Sequence, residues 1–185
     1  MGIAHEVVRR LGSAARPLRS GSDKLATVKL GAKQVPVLNV TSGAFRDGQA
    51  LPRSATADGE NVPPTLTWRG VPSGARSIVV LCEDPDAPLP KPFVHWMVYG
   101  LPARDTTLDA SLLAIAQQGK TTLGAVGYTG AAPPPGHGVH NYHFQVFALD
   151  ITLTLGPGTG RGALLDAMDS HVVAAGDLVG TYSRE

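Results

Sequence analysis

Apolar residues in this chain recur mostly with a period of two, the mark of strands that turn one face inward. Tyr142, Phe144, Val146 and Ala148 fall on one face of a stretch whose other face is His143, Gln145, Phe147 and Leu149, so a strand is predicted over residues 142–149. Leu66 and Trp68 alternate with Thr65 and Thr67 after Pro63 and Pro64, which reads as a half-buried strand entered from an extended backbone. Residues 78–82 are apolar without a break, which at strand length implies cover on both faces; residues 93–99 read likewise as strand. Residues 35–40 also read as a strand, and Asp47-Gly48 carries hairpin-type turn chemistry.

A helical period appears only twice. Val7, Val8 and Leu11 recur among arginines in residues 4–15, predicting a short amphipathic helix that docks on its own domain, on a second subunit, or on a membrane surface. Leu164, Leu165, Met168 and Val172 predict another over residues 161–175, stopped by Gly176. No segment repeats at a fixed period, so the expected architecture is a mostly β domain with a late helix.

At 185 residues the chain has the size of one domain, able to bury roughly 70% of its unfolded surface. Hydrophobic residues at 43% and charged residues at 17% suit a chain that folds unaided. Its 22 glycines and 15 prolines are scattered as turn punctuation, in keeping with many short strands. The one cysteine, Cys82, rules out an internal disulfide and sits in the apolar run as a small core residue.

Charge divides the chain unevenly. The first 24 residues hold five basic residues against Glu6 and Asp23, leaving 11 basic and 13 acidic residues for the rest, so residues 1–24 read as a basic extension and 25–185 as the domain. The body lacks the basic face that nucleic acid requires. No apolar run reaches 18 residues, and the start of the chain breaks off after two apolar residues at a time, so neither an integral membrane segment nor a secretory signal is expected and cytoplasmic residence is the default.

Three segments could carry chemistry. Asp84-Pro85-Asp86-Ala87-Pro88 follows the buried strand, and its prolines stiffen an acidic turn, with Asp84 nearest the sheet. Taken alone such a run is more often a plain turn than a ligand site. His95 lies in the next apolar strand, as a satisfied core residue or as a neighbour of Asp84 across the sheet. Residues 127–142 combine Pro133, Pro134 and Pro135 with flanking glycines, a rigid loop whose backbone can approach a ligand closely. His140 and Tyr142 then point the same way just past it. An imidazole, a phenol and free backbone N–H groups suit a phosphate or carboxylate, with Asp84 orienting a histidine. Asp84, His95, His137 and His140 could also supply metal ligands, but His137 and His140 flank a flexible Gly138 rather than forming a fixed helical pair, and no metal is expected.

With these segments in order, the chain closely resembles the phosphatidylethanolamine-binding protein family, in particular its bacterial, Raf kinase inhibitor-like branch. The likeness rests on Phe45-Arg46-Asp47-Gly48, Pro63-Pro64 with Leu66 and Trp68, the acidic run from Asp84, His95, the loop from Gly130 to His140 with Tyr142, Ala148-Leu149-Asp150 and Gly180-Thr181-Tyr182. It implies a large antiparallel sheet packed on a smaller one, with peripheral helices including a C-terminal one, and a shallow anion cavity at one end. The cavity would be lined by Asp84, His95, Ala132, Pro133, Pro134, His140 and Tyr142, with Asp86, Phe93 and Tyr128 as further wall. Two positions depart from the family: Ala131-Ala132 stands where Gly-Pro or a second glycine is usual, and Asn141 where arginine is usual.

The leading expectation is a non-enzymatic binding protein for a small anionic ligand or phospholipid head group, without cofactor. No serine sits in a nucleophile elbow and Cys82 is mid-strand. The alternative is an enzyme using Asp84 with His95 or His140 as an acid–base pair on a carbonyl or phosphoester. A third is a regulator of a kinase or protease partner, and the resemblance admits a homodimer.

Overall fold

The computed structural model describes residues 3–185, with side chains from Glu6 onward. Among the described residues there are nine strands: β1 (Asn39–Thr41), β2 (Gln49–Ala50), β3 (Leu66–Arg69), β4 (Ser77–Asp84), β5 (Phe93–Pro102), β6 (Thr106–Leu108), β7 (Gln117–Gln118), β8 (His140–Leu149) and β9 (Val172–Tyr182). The α-helices are α1 (Ile3–Ala15), α2 (Ala26–Lys29), α3 (Ala110–Ile115) and α4 (Arg161–Met168). The large sheet runs β2-β9-β8-β4-β5-β7 and the small one β1-β3-β6, antiparallel throughout except where β2 meets β9.

Strands β4 and β8 lie at the centre because their side chains are apolar on both faces. Toward the small sheet, Ile78, Val80, Cys82, Phe144 and Val146 pack with Trp68 and Trp96 in the main core. Toward the helices, Val79, Leu81, Phe147 and Met97 pack under Ala26, Leu164 and Met168. One hydrophilic pin crosses this second layer. Glu83 is fully buried there and accepts from the Ala26 amide at 2.8 Å, from Gln145 at 2.9 Å and from the Arg161 guanidinium, tying α2 and α4 to the sheet.

Three expectations need correction. The helix predicted over residues 161–175 ends at Met168, and residues 172–175 begin β9, which pairs with β8 along its length. The periodicity of Leu164, Leu165 and Met168 is a true helix stripe, whereas Val172 is a strand residue that happens to extend it. Gly176 is no helix stop: a Cβ there would stand 2.3 Å from the Leu38 carbonyl oxygen, so glycine lets the chain cross closely over β9. Residues 35–40 form a strand only from Asn39; Pro36 and Leu38 make isolated backbone bonds to Ala175 at the edge of the large sheet before the chain crosses to the small one. Asp47-Gly48 turns the chain but makes no hairpin, since β1 pairs with β3 and β2 runs parallel to β9.

Helix α1 docks on its own domain, against residues 135–137, while Val7, Val8 and Leu11 remain exposed. No helix among the described residues is long and apolar enough to cross a membrane.

Candidate functional site

Strand β4 delivers Asp84 at its end, where Pro85 stops the ladder and the Asp86 amide donates to Asp84 Oδ1 at 2.7 Å. The pairing of β4 with β5 slips between Cys82 and Glu83, so that Trp96 and Val94 have partners and His95 is the extra residue between them. Such a bulge redirects a side chain, and His95 faces a cavity. His140 opens β8 and directs Nδ1 at Asp84 Oδ2, 2.7 Å away, with both side chains almost wholly buried.

These residues wall a cavity of about 280 Å³. Six of the seven predicted binding residues line it: Asp84, His95, Ala132, Pro133, Pro134 and His140, joined by Phe93. Ala87, Pro88 and Leu89 close one side, and Leu123, Thr129 and Gly130 another; of these only Leu89 and Leu123 lie outside the segments that the sequence marks for chemistry. Tyr142 does not line the cavity: it lies behind it, 1% exposed, its hydroxyl without a hydrogen-bond partner among the described residues. Asp86 and Tyr128 are off the wall as well. The Tyr128 hydroxyl donates to the Ala55 carbonyl at 2.7 Å, and burial pushes both phenols well above their usual range. Of the two alanines that depart from the family, Ala132 lines the cavity and Ala131 is turned into the core.

The electrostatics follow from burial. His95 is held neutral because desolvation lowers its pKa against the pull of the Thr129 carbonyl and Asp84. A carbonyl only accepts, so the 2.7 Å contact fixes the hydrogen on Nδ1 and leaves Nε2 as the basic nitrogen. Burial pushes the Asp86 carboxyl up, but two hydrogen bonds from Asn141 and the charge of Arg19 outweigh it and hold it below the usual carboxylate range. Arg19 from the amino-terminal segment thus supplies a cation to this turn.

Sequence reasoning weighed His137 only as a metal ligand, and the structure gives it another role. Its Nδ1 lies 2.6 Å from His140 Nε2, so the two rings hydrogen-bond each other instead of converging on a shared point. No group of three His, Cys, Asp or Glu side chains among the described residues is placed to hold a metal.

Two packed sheets with a small cavity at the ends of β4 and β8 define the class: a mostly β binding-protein fold. The chain belongs to the phosphatidylethanolamine-binding protein family, whose model matches residues 41–183. A UPF0098 protein of Methanothermobacter thermautotrophicus is 39% identical over 153 residues, covering 80% of this chain and 99% of that one. Among solved structures, a phosphatidylethanolamine-binding protein homologue of Chlamydia trachomatis superposes with a TM-score of 0.75 at 35% identity, and Escherichia coli YbcL with 0.71 at 31%; each match covers 80% of this chain and 99% of the other. About a fifth of this chain therefore has no counterpart in these relatives.

Proposed function

We propose that the protein is a non-enzymatic binding protein whose cavity takes a small phosphate- or carboxylate-bearing ligand. The observation that carries this reading is the Asp84–His140 contact at 2.7 Å on the cavity wall, beside His95. A lone buried carboxylate would repel an anion, and an imidazole paired with it offsets that charge when it carries the additional proton. At about 280 Å³ the cavity is at the lower limit of small-molecule sites, which suits a head group or a compact metabolite. Pro133, Pro134, Phe93 and Leu89 supply apolar wall around the polar pair, the usual division between affinity and orientation.

The test is calorimetric titration of the full chain with phosphoethanolamine, inorganic phosphate and acetate. Saturable binding of at least one is expected, weakened at least about tenfold, or 1.4 kcal/mol, by His140→Ala. No saturable binding by the wild type, or equal binding by the variant, overturns the reading.

Catalysis is the competing reading: His95, fixed by the Thr129 carbonyl with Nε2 as its basic nitrogen, stands on the cavity wall with Asp84 as a general base would, whereas both ring nitrogens of His140 are already engaged. It requires turnover of a carbonyl or phosphoester substrate with a bell-shaped pH profile, abolished in Asp84→Asn. Binding without turnover across such a panel decides for the binding protein.

A further inference from the structure

A chain of three hydrogen bonds runs from the cavity wall into α1. Asp84 Oδ2 is 2.7 Å from His140 Nδ1, His140 Nε2 is 2.6 Å from His137 Nδ1, and His137 Nε2 is 2.8 Å from the Ala15 carbonyl oxygen. His137 and His140 are fully buried and Asp84 nearly so.

The proton count of this chain is constrained. Because the Ala15 carbonyl only accepts, His137 must carry a hydrogen on Nε2. If His137 is neutral, its Nδ1 is bare. An ionised Asp84 holds the hydrogen of a neutral His140 on Nδ1, which leaves His140 Nε2 bare as well. Two lone pairs would then face each other at 2.6 Å, a repulsive contact at hydrogen-bonding distance. Three hydrogen bonds need three protons, and one carboxylate with two neutral imidazoles supplies two. The third is present as an imidazolium at His140 or at His137, or as a protonated Asp84 with both imidazoles relaying. In each case the cluster is neutral overall, whereas the two-proton form would bury a net negative charge, which burial disfavours.

Helix α1 is what imposes the count. Without the Ala15 carbonyl, His137 could move its hydrogen to Nδ1, donate to His140, and complete the chain with two protons. The helix is seated firmly: Arg16 Nε donates to the Gly136 carbonyl at 2.7 Å, and a Cβ on Gly12 would stand 2.0 Å from the Pro135 oxygen. We propose that His137 is a positioning residue, pinned by α1 so that the Asp84–His140 pair keeps a third proton and presents an uncharged wall to an incoming anion. Its effect on affinity rests on the anion-binding reading above; the proton count does not.

Other charged and titratable groups surround the cluster. Arg9 and Arg16 lie on the α1 side, Asp86 with Arg19 on the acidic turn, neutral His95 on β5, Tyr142 on β8 and Arg184 beyond β9. The arginines oppose an added proton, so Asp84 and the hydrogen-bond geometry are what retain it.

The test uses the full chain with ¹⁵N-labelled histidine rings, free of anions, at pH 8. Simultaneous hydrogens on His137 Nε2 and within the His137–His140 contact are expected; either position bare overturns the proposal. In Gly12→Val, which lifts α1 from the loop, His137 Nε2 loses its hydrogen at pH 8; an unchanged spectrum in a variant of altered α1 protection refutes the role of the helix. His137→Asn provides the second arm, with sulfate as a probe of constant charge. Its sulfate affinity should weaken from pH 6 to pH 8 by up to about tenfold per pH unit, the slope of one linked proton, against a flatter wild-type profile. Equal weakening at both pH values would mark a merely structural residue and overturn the proposal. If both hydrogens are seen and no form binds sulfate or phosphate, the anion reading falls while the proton sharing stands.

Discussion

Arg19 and Asp86 form an ion pair that joins the amino-terminal segment to the acidic turn beside the cavity. The other oxygen of Asp86 accepts from both the backbone and side-chain amides of Asn141, at 2.7 Å each, so one carboxylate ties together the segment, the turn and the start of β8. Next to it, the Ser20 and Gly21 amides donate to the Ala87 and Pro85 carbonyls, each at 3.0 Å. The acidic turn, and through Asp86 the start of β8, are thereby held by residues upstream of the family match.

Arg19→Ala should loosen this clasp with little loss of global stability, on the order of 1 kcal/mol or less, because the arginine is partly exposed. Hydrogen exchange of the Ser20 and Gly21 amides should accelerate while the β4 and β8 amides stay protected. Unchanged exchange at Ser20 and Gly21 contradicts the clasp.

Glu83→Ala should be severely destabilising. It strands the Gln145 amide and the Ala26 N–H and leaves the partly buried Arg161 guanidinium with the Lys24 carbonyl but no counter-charge, and breaking a buried pair by removing one partner costs about 3–5 kcal/mol. Urea denaturation measures the loss; a change below about 1 kcal/mol would show that water replaces the carboxylate.

His143 gives a pH signature separate from the cavity. Burial lowers its pKa, but the Asp177 hydrogen bond at 2.7 Å and the nearby carboxylate charges prevail and leave it raised. A raised folded pKa adds stability that is fully present below the unfolded value of about 6.5 and fades as pH climbs through the folded value. Melting temperatures of the wild type and His143→Gln should therefore differ most near pH 5.5 and converge toward pH 9. A gap that widens with pH would refute the assignment.

Cys82 is 1% exposed and burial raises its thiol well above the usual range, so it should be inert to a thiol reagent in the native state and react once the chain unfolds. Its labelling rate in urea should track global unfolding. Rapid labelling without denaturant would mean that the centre of the large sheet opens locally.

Much of the fold was legible because β4 and β8 carry their apolar residues in plain alternation or unbroken runs. Strand β9 was not, since Val173, Ala174 and Ala175 are small and follow a genuine helix stripe. Its partners supply the bulk: Leu38 and Val40 crowd Gly176, and Leu51 and Phe45 crowd Gly180. The site was legible where spacing along the chain carries the geometry, as for Asp84 after its strand and His140 after the prolines. Tyr142 shares the strand face of His140 but lies one step further into the core, a difference of depth that alternation does not encode. The role of His137 was illegible for another reason. Its carbonyl partner, Ala15, is 122 residues away, and only the docking of α1 brings them together.

Phosphate titration followed through the histidine ring signals tests the anion cavity most directly. The rings of His95 and His140 should shift saturably with one shared dissociation constant, while His171, paired with Asp150 on the surface, should stay still. Static His95 and His140 signals, or shifts of equal size at all histidines, would contradict a phosphate site in the cavity.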